Sequence, residues 1–182
     1  MNRDEIEYFI LKMDLEGNIS DDFISSYETE DTKYSIDDMI EYGGQLYLST
    51  GALPKDYWNG NNEFAEISEY LKTHETSDYY IPDEVLTPIM QKYNNAVLLV
   101  CDTESGEPKR FYSVSGACTG KLSVNDSGEM EWEVAKIIST QFSPYTSSHS
   151  IGGKCRVYRY VFDPSGKLIK QDNTGEIRYF TR

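Results

Sequence analysis

Few residues in this 182-residue chain could do chemistry, since it holds two histidines and three cysteines. His149 lies in a Ser-rich stretch, "SPYTSSHSIGGKC". Beside Tyr145 or Lys154 it would suit the general base of a metal-independent ribonuclease. The plainer reading is a polar loop residue. The same stretch is not a P-loop, because His149 and Cys155 stand where that motif needs Gly and Ser or Thr. Asp83, Glu107 and Lys109 follow the order of a PD…ExK nuclease motif. The two carboxylates would hold a divalent metal and the lysine would position the attacking water. Pro108 between Glu107 and Lys109 departs from the strand that this motif uses, and Asp83 also suits a helix start. No cofactor is expected outside that metal-dependent alternative.

Glu131 and Glu133 form a carboxylate pair, but on one strand face they read as solvated rather than as two groups flanking a substrate. Cys101, Cys118 and Cys155 are widely spaced and form no CxxC pair, so neither a disulfide framework nor a zinc site is favoured. His74 falls at a helix end and reads as a partner of the helix dipole.

Charge is more informative. The net is −14, and residues 1–94 hold 21 acids against 6 bases, whereas residues 95–182 hold 10 against 11. The densest stretch, "DDFISSYETEDTKYSIDDMIEY", carries Asp21, Asp22, Glu28, Glu30, Asp31, Asp37, Asp38 and Glu41, with Tyr34 and Tyr42 among them. Most charge runs are solvated faces. The sharper reading is a decoy for nucleic acid. Acids two apart on a strand lie about 6.6–6.8 Å apart, and acids one helical turn apart lie about 5–6 Å apart at Cβ. Such a surface offers a basic groove carboxylates in place of phosphates, and the interspersed tyrosines would serve as contact anchors. At the other end, "KCRVYRYVF" puts Lys154, Arg156, Tyr158 and Tyr160 on one strand face. Bases interleaved with aromatics can hold RNA or DNA by phosphate contact and stacking.

The expectation is an acidic inhibitor of a basic nucleic-acid-binding protein such as a CRISPR nuclease, of the anti-CRISPR or anti-restriction type. The alternatives are a nuclease, ribonuclease-like or metal-dependent, and an immunity protein against a nuclease toxin. The start of the chain, "MNRDEIEYF", lacks the pattern of a signal peptide, and no apolar run is long enough to span a membrane. A cytoplasmic protein with reduced thiols is therefore expected, and the oligomeric state is left open.

These residues need elements to position them. The pattern predicts a single α+β domain, with a helix-rich acidic half (1–94) packed on an antiparallel β-meander (95–182). "SIDDMIEYGG" reads as a helix with Ser35 as N-cap and Gly43 as stop. "NNEFAEISEYLKTH" has Phe64, Ile67 and Leu71 at helical spacing, and "PDEVLTPIMQKY" follows as another helix. "NAVLLVCDT" reads as a buried strand. "EMEWEVAKII" alternates, with Met130, Trp132 and Val134 on one face and Glu129, Glu131 and Glu133 on the other. Asn125–Gly128, Asp163–Gly166 and Asp172–Gly175 read as turns between strands. Residues 4–15 fit either helix or strand.

Overall fold

A computed structural model describes residues 15–16, 32–54, 56–74, 80–118, 120–143 and 150–181. The architecture is mostly sheet, with two short helices. β1 (Thr32–Tyr42), β2 (Gln45–Pro54), β3 (Asn95–Asp102) and β4 (Pro108–Ser115) form one antiparallel sheet in that order. β5 (Ala117–Cys118), β7 (Met130–Ser143), β8 (Ser150–Phe162) and β9 (Leu168–Thr181) form the second, and β6 (Leu122–Val124) pairs with β7 beside β5. Between β2 and β3 lie α1 (Glu63–Thr73) and α2 (Asp83–Lys92).

This corrects the expected helix-rich N-terminal half. Residues 35–43 are not a helix: they end β1 and enter a hairpin. Gly43 and Gly44 both have positive φ, 59° and 72°, and Tyr42 pairs with Gln45 across them. A Gly-Gly pair in this conformation is the two-residue turn that matches strand twist. The helical reading arose from a bulge. Between Ile36 and Asp38 the register slips by one residue, so Ile36 and Met39 share a sheet face and Ile40 lies on the other. Apolar residues at 36, 39 and 40 therefore imitate helical spacing on a bulged strand.

Both remaining helices form where their end signals lie. Asn62 caps α1 by accepting from the Ala65 N–H at 3.0 Å, and Glu63, Glu66 and Lys72 sit at the ends that suit their charge. Ile67 is buried, whereas Phe64 is exposed, contrary to its expected place on the buried stripe. Glu66 joins α1 to α2 by pairing with Lys92 and by accepting from the Tyr93 hydroxyl at 2.6 Å.

Glycine–carbonyl turns close two hairpins as expected, with Gly128 N–H donating to Asn125 O and Gly166 N–H to Asp163 O, each at 2.9 Å. The third signal behaves differently. Asp172–Gly175 lies inside β9, where the register shifts between Arg156 and Tyr158, and Thr174 Oγ1 donates to Val157 O at 3.0 Å. It is a bulge within one long strand, not a turn between two.

The second sheet is covered on opposite sides at its two ends. At one end Met130, Trp132, Val134 and Phe162 face the first sheet and pack on Tyr47, Ala96, Leu98 and Val100. At the other end Ile137, Phe142, Ile151 and Cys155 face the helices and pack on Ile67, Leu86 and Met90. Thr87 on α2 hydrogen-bonds Thr140 on β7 at 2.9 Å, and Gln91 donates to Ile137 O at 2.8 Å. The reverse side at each end is left uncovered by the other sheet or by the helices.

Candidate functional site

The nuclease set is not assembled. Asp83 is exposed in the first turn of α2, which packs on the Ile137–Thr140 part of β7. Glu107 and Lys109 lie at the start of β4, at the opposite end of the molecule, and Lys109 pairs with Asp102. That ammonium, joined by the backbone N–H groups of Ser105 and Glu104, holds the Asp102 carboxyl well below the usual carboxylate range. Among the described residues no group of three or more His, Cys, Asp and Glu is placed to hold a metal ion. His149 lies outside the described residues. None of the three cysteines forms a disulfide, and Cys101 and Cys155 are buried. Burial and the neighbouring Cys118 thiol both push the Cys155 thiol up, the neighbour more strongly, so it is held as a neutral core group.

The carboxylate pair on β7 is held by arginines. Glu131 and Glu133 lie on the side of the sheet away from Trp132, where Arg159 bridges them at 3.2 Å to each. Arg178 adds a contact to Glu133 at 2.9 Å and one to Glu176 at 2.7 Å. Burial pushes the Glu133 carboxyl up, and the Arg178 and Arg159 guanidiniums outweigh it and hold the group below its ordinary value.

Of the acidic stretch, Asp21, Asp22, Glu28, Glu30 and Asp31 lie outside the described residues, as does the side chain of Tyr34. The remaining acids do not share one surface. Asp37 is the exposed extra residue of the β1 bulge, and Glu41 is exposed further along. Asp38 turns inward, accepting from the Leu122 N–H at 2.8 Å and from the Met39 N–H at 2.9 Å. It ties the edge of the first sheet to β6. Tyr42 is also structural: its ring lies 6.1 Å from that of Tyr47, and its hydroxyl donates to Gly128 O at 2.6 Å. β1 is an edge strand, where exposed charge and a bulge also discourage pairing with another chain.

The fold gathers a different set of acids, one that spacing along the chain does not reveal. Thr103 Oγ1 donates to Gly44 O at 3.4 Å, Tyr42 reaches Gly128, and Arg110 and Tyr112 reach Ser165 O and Gly166 O. The β1–β2, β3–β4, β6–β7 and β8–β9 turns thus converge on one end. There Glu41, Glu104, Glu107 and Asp126 are exposed, and none forms an ion pair with the described residues. The shared Asx-Gly and Gly-Gly turn chemistry was the available signal.

All four basic-face residues share one side of β8, as the alternation requires, but only part of that side is open. Lys154 and Arg156 are exposed, and Tyr158 is half-buried between them and the core. Tyr160 is turned to packing: half-buried, its ring lies 5.5 Å from that of Trp132, against the core between the sheets. Two residues are added instead. Lys136 lies directly opposite Arg156, and Tyr179 lies opposite Lys154, whose ammonium is 5.9 Å from the ring centre. Lys136 was legible as a base in the row that holds Met130, Trp132 and Val134: it marks where the cover ends.

Comparison with known proteins gives no match to a family model, a curated protein or a solved structure. Among the described residues no helix is long and apolar enough to cross a membrane.

Proposed function

We propose that the chain is an inhibitor of a basic nucleic-acid-handling protein in the cytoplasm, of the anti-CRISPR or anti-restriction kind, acting by charge mimicry. The supporting observation is the convergence of four turns that presents Glu41, Glu104, Glu107 and Asp126 together, with no ion pair to the described residues. Turns closed by backbone hydrogen bonds hold their carboxylates on a rigid support, so little entropy is lost on docking. Unpaired carboxylates steer a basic groove toward the protein and occupy the place of phosphates. The same surface would serve immunity against a nuclease toxin.

The test is a titration against a guide-loaded CRISPR nuclease with labelled target DNA, run beside a restriction nuclease and a nuclease toxin. One of the three is expected to be blocked near one equivalent, less so as salt rises. Joint replacement of Glu41, Glu104, Glu107 and Asp126 by lysine should remove inhibition with the melting temperature unchanged. Inhibition that survives this replacement rules out mimicry by these acids. Nucleic-acid cleavage at substoichiometric protein would move the assignment to a nuclease. Asp38 is left out of the variant because it holds β1 to β6.

A further inference from the structure

We propose that the uncovered end of the second sheet, built by Lys136, Lys154, Arg156, Tyr158, Ile177 and Tyr179, binds single-stranded nucleic acid. This site is separate from the acidic turns and does not rest on the inhibitor reading. At this end the helices pack on one side of the sheet, and neither they nor the first sheet covers the other. Ile177 and Tyr179 are exposed there, Tyr179 to 76%.

Two observations point to an anionic occupant. The first is pairing. Arg159 and Arg178, and Lys92, Lys109 and Lys170, all pair with carboxylates. Lys136, Lys154 and Arg156 form no ion pair with the described residues. Lys72, Arg110, Lys121 and Lys167 also form none with the described residues, but they are scattered over α1, β4 and the turns, whereas these three share one sheet face. The second is register. Further along the same two strands Glu133 stands opposite Arg159, a favourable pair, but Lys136 stands opposite Arg156. Like charges directly opposite destabilise a sheet. A polyanion laid across them would relieve that repulsion.

Aromatic placement decides which anion. A folded acidic protein or a lipid headgroup needs the charges alone. Tyr179, exposed beside Lys154, adds an aromatic ring that suits stacking on an unpaired base. Residues two apart on β8 set Lys154 and Arg156 about 6.6–6.8 Å apart, so that they contact successive positions along a backbone. The acids nearest along these strands, Glu133 and Glu176, are already paired with Arg159 and Arg178.

The probe is a fluorescently labelled homopolymer of about 20 nucleotides, as DNA and as RNA, titrated by fluorescence anisotropy with the full-length protein. We expect binding at low salt, with log affinity falling against log salt at a slope of about −2, as three phosphate contacts require on a single strand. Tyr179→Ala should weaken binding about tenfold and leave that slope unchanged. Lys136→Glu should weaken binding while keeping or raising the melting temperature, because it replaces the repulsion opposite Arg156 by attraction; loss of binding there is not loss of fold. Joint K136E, K154E and R156E should abolish binding. The proposal is overturned if neither oligonucleotide binds at low salt, if the triple variant binds as the parent does, or if a duplex binds as well as a single strand. It is equally overturned if vesicles of anionic lipid bind and the oligonucleotides do not. A difference between the DNA and RNA arms identifies the strand preferred. Failure here leaves the inhibition assay untouched, since the two tests share no residue.

Discussion

Trp132 on the second sheet donates its indole N–H to the Ser49 hydroxyl on the first at 2.9 Å, and the Ser49 hydroxyl in turn donates a hydrogen bond to Gly120 O at 2.9 Å. Both side chains are fully buried. This relay links the sheets from within the core, whereas Asp38, Tyr42 and Tyr112 link them nearer the rim. Ser49→Ala leaves a donor and an acceptor buried without partners, at a cost of about 1–3 kcal/mol. Trp132→Phe adds the loss of packing. In urea unfolding, the double variant should lose less than the sum of the two singles. Additive losses would show that the relay is not a unit.

A second expectation concerns acid. The Glu133 carboxyl is held below its ordinary value of 4.5 by Arg178 and Arg159, against the effect of burial. A carboxyl lowered by folding stabilises the native state fully above its unfolded value, and that contribution is lost as pH falls through the folded value. Glu133→Gln should cost about 1 kcal/mol at neutral pH, given partly exposed arginines. The difference from the parent should shrink below pH 4.5. A gap that stays constant through acid would mean the charge does not matter.

Alkaline pH addresses Tyr47. Burial first, then the Tyr42 phenol, push its hydroxyl up to about 12. A group raised by folding stabilises the native state below its unfolded value of 10.0, and the contribution is lost as pH rises toward the folded value. Ultraviolet titration of the tyrosines should show one late phase that Tyr47→Phe removes. The Tyr47 hydroxyl is buried and makes no hydrogen bond to the described residues. The substitution should therefore leave neutral stability unchanged or raise it by up to about 1 kcal/mol. A loss above that would reveal a partner for the hydroxyl.

Backbone contact sets a fourth expectation. A Cβ on Gly120 would stand 1.0 Å from Glu133 O, where no side-chain rotation gives relief. Gly120→Ala must separate β6 from β7 or shift both, so a loss of about 3 kcal/mol or more is expected from denaturant unfolding. A smaller loss would show that this junction yields.

What could be read from the chain follows from how local each signal is. The α1 and α2 ends are set by neighbours within a turn, and β7 by strict alternation up to Val134. Those signals were legible. β1 was not, because one extra residue at Asp37 turned a strand pattern into a helical one, although the Gly43–Gly44 pair marked the hairpin. The sites were less legible still. Glu41, Glu104, Glu107 and Asp126 meet only because distant turns meet, and Asp38 and Tyr160 were lost to the surfaces because distant partners claim them. Lys154 and Arg156 were found because adjacent positions on one strand fix their common face.

The crossover in how the second sheet is covered has a consequence for how its strands tolerate change. Along β7 the buried positions run 130, 132, 134, then 137, 140, 142. The buried side therefore changes between Val134 and Ile137, and the bulge between Ile137 and Ser139 then keeps Thr140 and Phe142 on the same side as Ile137. A single strand answers to two neighbours, each inspecting a different side. Shortening β7 by one residue before the crossover would mispair only the contact with the first sheet; after it, only the contact with the helices. Each half of the molecule could thus drift in sequence against its own cover, with the long hairpin as the shared spine.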